Sequence, residues 1–276
     1  MKAVSKENIQ HIASVMGLRL PQVQLLLAQE RFIARMSNIS SCSSFIWKGG
    51  SLVLRAYPYL EKPRFTIDID YLLRGLDISK VQEKLQEASA LNLSDGFKFG
   101  SVSSTPMLRD TPYGGERFEI SWEFNGKSGS QKLKLDICAG DVVEEVERNL
   151  DELSILEGNC EGFSVLVYPA EFIFAEKLQT SFKFGTGNTR LKDFIDMWVL
   201  IERGLDSIKV KEAIIKCFQR RESDFDLRHL QDVLNNQVYR DLLGGSLKKK
   251  FSALELPSIN VMMDRILSFV AHLFDR

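Results

Sequence analysis

Apolar and polar positions alternate in two different styles along the chain. Residues 6–18 and 21–37 read as two helices: Val23, Leu26, Leu27, Phe32 and Ile33 recur at roughly helical spacing, and Pro21 suits a first helical turn. A polar connector over 40–44 leads into Phe45-Ile-Trp47, a short apolar strand running into Lys48-Gly-Gly. A helix is predicted over 51–57, stopped by Pro58, then a partly buried strand over 66–73 and a helix over 79–91. Strand patterns over 117–124 and 132–138 flank Asn125-Gly126 and Gly129, which is a hairpin signal. From Pro169 onward the pattern is helical, over 169–182, 189–203, 207–220, 225–236, 237–250 and 258–274. There is no internal repeat and no low-complexity tract. The pattern predicts an α+β fold: a core over 1–168 with N-terminal helices, and a helical domain over 169–276.

Composition narrows the chemistry. A chain of 276 residues, 44% apolar and 26% charged, has the make-up of a globular protein able to bury a sizeable core. A net charge of −1 leaves any nucleic-acid contact to a local patch. Cys42, Cys138, Cys160 and Cys217 lie far apart, which argues against a zinc ribbon or a disulfide scaffold and predicts a reducing, cytoplasmic setting. His11, His229 and His272 fall in no metal-binding spacing. The start has no signal-type apolar core and the longest apolar runs are too short for a bilayer, so no membrane association is expected.

The chemistry concentrates in Lys48-Gly-Gly-Ser51 and Arg64-Phe-Thr-Ile-Asp-Ile-Asp70. Glycines let backbone approach a triphosphate, and amides at a helix start bind its oxygens, which marks Gly49, Gly50 and Ser51. Asp68 and Asp70 are at strand spacing, so both side chains leave one face, where paired carboxylates hold Mg²⁺ or Mn²⁺ together with substrate phosphate. An Asp-x-Asp pair alone is a weak signal that fits a solvated strand end; its combination with Gly49, Gly50, Ser51 and Asp136 reverses that balance. Nucleotidyl transfer commonly uses two metals about 3.5–4 Å apart and a third carboxylate from a neighbouring strand. Asp136, in the 132–138 strand, is the candidate third metal ligand, and it fits a strand-edge charge equally well. Lys48 fits a phosphate contact or an exposed lysine before a turn.

These residues resemble the AbiEii-type nucleotidyltransferase toxins, which include the mycobacterial MenT toxins. The first shared block is an apolar strand, Lys-Gly-Gly-[Thr/Ser]-x-Leu and Arg-x-[Ser/Thr]-x-Asp-[Ile/Leu]-Asp, here Phe45-Ile-Trp-Lys-Gly-Gly-Ser-Leu52 and Arg64 to Asp70. The second is Ala175-Glu-Lys-Leu178 followed by Arg190-Leu-Lys-Asp-Phe-Ile-Asp196. The resemblance covers about residues 20–200. It implies a DNA polymerase β-like nucleotidyltransferase core, with Gly50 and Ser51 on the triphosphate, Asp68 and Asp70 on metal, and Lys177 and Asp193 completing the site from the helical half. Read without it, Glu171, Lys177, Lys192, Asp193 and Asp196 form an inter-helix ion-pair network.

The expected activity is transfer of a nucleoside monophosphate from an NTP to an acceptor by the toxin of a toxin–antitoxin or phage-defence pair. The resemblance implies the tRNA 3′ end as acceptor, inhibited translation, and a cognate antitoxin encoded nearby. Two alternatives stand beside it: modification of a protein or small molecule, and a non-catalytic NTP-binding module. The segment 181–188 reads as a loop over the nucleotide or an ordinary connection, and Arg220-Arg221 and Lys248-Lys-Lys250 as an RNA contact or solvated helix ends.

Overall fold

The computed structural model describes residues 3–58, 60, 62, 64–107, 115–129, 131–140 and 143–274. The chain forms two compact units, one of residues 1–56 with 64–168 and the other of 57–63 with 169–276.

The first unit opens with α1 (Lys6–Met16), which a capping box starts: Asn8 N donates to Ser5 Oγ and Ser5 N to Asn8 Oδ1, each at 3.1 Å. Gly17, at φ 63, ends it. The next helix, α2 (Leu20–Met36), is buried on every side from Leu25 to Met36, polar residues included. Its two buried cations, Arg31 and Arg35, are both held by hydrogen bonds. Arg35 makes a bidentate pair with Asp95 and also donates to the carbonyls of Arg31, Leu91 and Phe97. Arg31 donates to Asn159, while Glu30 accepts from Ser154 Oγ and Ile155 N.

Eight strands are found among the described residues: β1 (Phe45–Lys48), β2 (Asp68–Leu73), β3 (Phe97–Pro106), β4 (Gly115–Phe124), β5 (Lys127–Ser128), β6 (Leu133–Ala139), β7 (Val146–Asn149) and β8 (Ser164–Val167). They form one mixed sheet in the order β3-β4-β6-β2-β1-β8-β7, with β5 paired to β4. The β2–β6 and β1–β8 pairs are parallel, and the others are antiparallel. Two further helices belong here, α3 (Gly49–Ala56) and α4 (Val81–Ala90). The apolar strands β1, β2 and β6 lie in the middle of the sheet, as their composition demands. Strands β3 and β7 form its two ends. Both are mostly exposed, and β3 keeps only Phe97 and Phe99 buried, so the apolar pattern did not predict them.

The second unit holds α5 (Ala170–Phe184), α6 (Leu191–Glu202), α7 (Ser207–Arg220), α8 (Leu227–Leu234), α9 (Gln237–Lys250) and α10 (Ile259–Phe274). Their ranges follow the predicted helices within a few residues. Phe174, Phe194, Phe218, Met262 and Ile266 are among its buried residues. The apolar face of α7 continues into an aromatic cluster, with Phe182 and Phe225 ring centroids 5.1 and 5.3 Å from Phe218. The connection between α5 and α6 is a single 3-10 turn over Gly185–Gly187. Among the described residues no helix is long and apolar enough to cross a membrane. All four cysteines are free thiols.

Candidate active site

Strand register lines up four charged residues across the middle of the sheet. Lys48 on β1 is opposite Asp70 on β2, Asp70 is opposite Asp136 on β6, and Asp136 is opposite Arg117 on β4. Directly paired residues share a face, so the row reads cation, carboxylate, carboxylate, cation. Asp68 lies two residues before Asp70 and therefore on the same face; its row continues through Lys134 to Glu119.

The glycine pair sits at one end of this row. The helix α3 begins at Gly49 itself, so both glycines lie in its first turn, where backbone N–H groups lack helical partners. Gly49 has φ +75, and a Cβ there would fall 2.1 Å from Asp70 Oδ2. A Cβ on Gly50 would fall 2.5 Å from Arg64 Nη2. The glycines are thus required by two neighbours: one carboxylate and one guanidinium press against the turn. Ser51 is fully buried, and its Oγ accepts a 2.8 Å hydrogen bond from Trp47 Nε1. Its side chain fixes the turn from beneath. Lys48 is 7% exposed, with Nζ 4.5 Å from the Tyr168 ring centroid, which corrects the picture of an exposed lysine.

Because of this close approach, Gly49→Ala is expected to destabilise the protein by about 1–3 kcal/mol, from the positive φ alone, and to push Asp70 off its position. A urea melt and a nucleotide-transfer assay check both effects. An alanine protein with native stability and activity would show that the turn has room to give.

The sequence led us to expect Asp68, Asp70 and Asp136 to converge as one ligand set. The strand carrying Asp136 does pair beside β2. Among the described residues, however, no three His, Cys, Asp or Glu side chains are grouped as a metal cage. Asp136 is itself engaged: its two oxygens accept from Arg117 Nε and Nη2 at 2.7 Å each. Asp136, Asp68 and Asp70 together hold the Arg117 guanidinium more firmly protonated than usual, the hydrogen bond to Asp136 dominating. Sequence reasoning missed Arg117. Continuing the hairpin register from Asn125-Gly126 would have set it opposite Lys134; a two-residue offset between β5 and β6 sets it opposite Asp136 instead. The donor chemistry of Asp68 and Asp70 still fits a hard divalent cation, which takes one or two carboxylates and completes its shell from substrate phosphate and water.

The helical unit carries a second cluster. Lys177 Nζ lies 2.7 Å from Asp193 Oδ1 and 3.0 Å from Asp196 Oδ2, and Arg190 Nε lies 2.9 Å from Asp193 Oδ2. Both aspartates are buried at 3% exposure. The ion-pair network between helices is therefore present, joining α5 to α6 through Lys177. Glu176 faces the other way, toward Arg221 at 3.5 Å.

With this geometry in view, the comparisons with known proteins decide the lineage. The family described as "Nucleotidyl transferase AbiEii toxin, Type IV TA system" matches residues 31–265. The chain belongs to the AbiEii family. It is thus a nucleotidyltransferase of the kind that serves as toxin in type IV toxin–antitoxin systems. The match spans both the Gly-Gly turn with its Asp-x-Asp strand and the Lys177 cluster. The AbiEii chain is also similar in fold to JHP933 from Helicobacter pylori, at 13% identity and a TM-score of 0.50, over 99% of this chain and 94% of that one. No curated protein matches it in sequence.

Proposed function

We propose that this AbiEii protein transfers a nucleoside monophosphate from an NTP to the 3′ end of tRNA, in a Mg²⁺-dependent reaction that blocks aminoacylation and stops translation. The observation that carries the reading is the contact of Gly49 with Asp70, which joins a backbone turn fit for phosphate to a carboxylate pair fit for metal. In this reading the Gly49 and Gly50 turn receives the triphosphate, with Ser51 bracing it and Lys48 and Arg64 adding positive charge. Asp68 and Asp70 hold the divalent cation. A divalent cation held there would supply charge neutralisation at the phosphates and a lowered pKa for the attacking hydroxyl. The acceptor oxygen bonds to the α-phosphorus, the bond to pyrophosphate breaks, and the hydroxyl proton passes to solvent. Lys177, pre-oriented by Asp193 and Asp196, is the helical unit's cation for a nucleotide phosphate. The tRNA acceptor rests on the resemblance to the MenT toxins, and a cognate antitoxin and a cytoplasmic setting follow from the same kinship.

The test is incubation of the purified protein with Mg²⁺, total bacterial tRNA and each α-³²P-labelled NTP in turn. We expect label in tRNA with one or a few of the nucleotides, and none with EDTA. Label entering protein or a small molecule instead would move the acceptor elsewhere. NTP binding with no labelled product at all would leave a binding module and sink the enzymatic reading.

A further inference from the structure

The charged row across β1, β2, β6 and β4 is balanced before any metal arrives, since Lys48 and Arg117 flank Asp70 and Asp136. Paired strands run about 4.8 Å apart, so the two carboxylates at neighbouring register positions repel unless a cation intervenes. Arg117 meets that need in the strongest available way, with two parallel 2.7 Å bonds that occupy both oxygens of Asp136. Its side chain is 38% exposed while that of Asp136 is 10% exposed, so the guanidinium has a solvent-side path away from the carboxylate. A divalent cation on Asp68 and Asp70 would compete for the same negative charge, because both aspartates also stabilise the Arg117 cation.

We propose that Arg117 is a built-in counter-cation of the carboxylate row, which withholds Asp136 and lowers the affinity of the site for free divalent metal. Metal then enters with the nucleotide, whose phosphates supply the ligands that Asp136 does not. The inference rests on the metal-dependent reading above. It makes Arg117 a positioning residue, acting through Asp136.

Binding of Mn²⁺ without nucleotide, followed by the loss of the free-ion EPR signal, tests it apart from activity. Arg117→Gln is expected to bind Mn²⁺ about tenfold more tightly than the unmutated protein, about 1.4 kcal/mol. Arg117→Lys, which keeps a charge but not the fork, should fall between them. Adding Asp136→Asn to Arg117→Gln should return the affinity to the starting value. Unchanged or weaker binding in Arg117→Gln, with native circular dichroism, would overturn the proposal. Should Arg117→Gln fail to fold, Arg117→Lys decides alone: a gain supports the inference and no gain overturns it. The Asp68→Asn/Asp70→Asn protein separates the two levels. If it binds Mn²⁺ as well as the unmutated protein, the carboxylate site itself is wrong and the inference falls with it; if it loses binding, any failure belongs to Arg117 alone.

Discussion

Asp70→Ala is expected to lose nucleotide transfer by on the order of 10³-fold or more, because a metal ligand contributes several kcal/mol of transition-state stabilisation and each 1.36 kcal/mol is tenfold. Asp70 touches several parts of the site. Asp70 presses on Gly49, stands opposite Lys48 and neighbours Asp136. The fold should survive the change. Asp70 is only partly buried, its strand is held by backbone ladders to β1 and β6, and the substitution removes one of two adjacent carboxylates. Circular dichroism should therefore match the unmutated protein while labelled product vanishes, and growth arrest on expression should vanish with it. A fully active, toxic Asp70→Ala protein would remove the Asp-x-Asp pair from the mechanism.

Arg35→Met is expected to destabilise the first unit by about 3–5 kcal/mol, the usual consequence of removing one member of a buried ion pair. The pair with Asp95 is fully buried on both sides, at 2.8 and 2.9 Å. Arg35 also donates to three backbone carbonyls, which would lose that bond. The larger part of the penalty comes from Asp95, left buried without its cation and with only the Phe97 N–H, at 3.1 Å, bonded to it among the described residues. Denaturant unfolding measures the loss. A second variant, Arg35→Met with Asp95→Asn, should recover part of it because the stranded charge is gone. A loss below about 1 kcal/mol for Arg35→Met, the worth of an ordinary exposed pair, would show that water reaches Asp95 and the burial argument fails.

What the sequence revealed depended on how strongly each element's environment shaped its composition. Helices such as α7 and α8 of the second unit were legible because each sets one apolar stripe against a core, and α6 because it is a mostly apolar run buried from Asp193 to Ile201. Strands β1, β2 and β6 were legible because central strands must be apolar. The end strands β3 and β7 were not, since exposed serines and charges on a sheet margin carry no apolar signature. The all-round burial of α2 from Leu25 to Met36 was equally hidden. Gln29, Glu30, Arg31 and Arg35 look like a solvent face, and only the tertiary structure shows Glu30, Arg31 and Arg35 bonded inside. At the candidate site, local motifs located Gly49, Gly50, Asp68 and Asp70, whose chemistry depends on spacing of a few residues. Arg117 was beyond reach because its position opposite Asp136 depends on a register offset between strands, which no local pattern encodes.

The parallel pairing of β1 with β8 has a consequence for how such a protein is made. Trp47 is in register with Val167, and the Tyr168 N–H donates to the Trp47 carbonyl at 2.8 Å. The Tyr168 ring lies under Lys48 at the entrance to the glycine turn. The segment that shapes the phosphate turn therefore leans on residues that leave the ribosome long after it does. Contacts so distant in sequence form late in folding. A nascent chain carries Lys48, both glycines and the Asp-x-Asp pair well before it carries the strand that backs them. A chain ended before β8 therefore contains the motif without the strand that supports it.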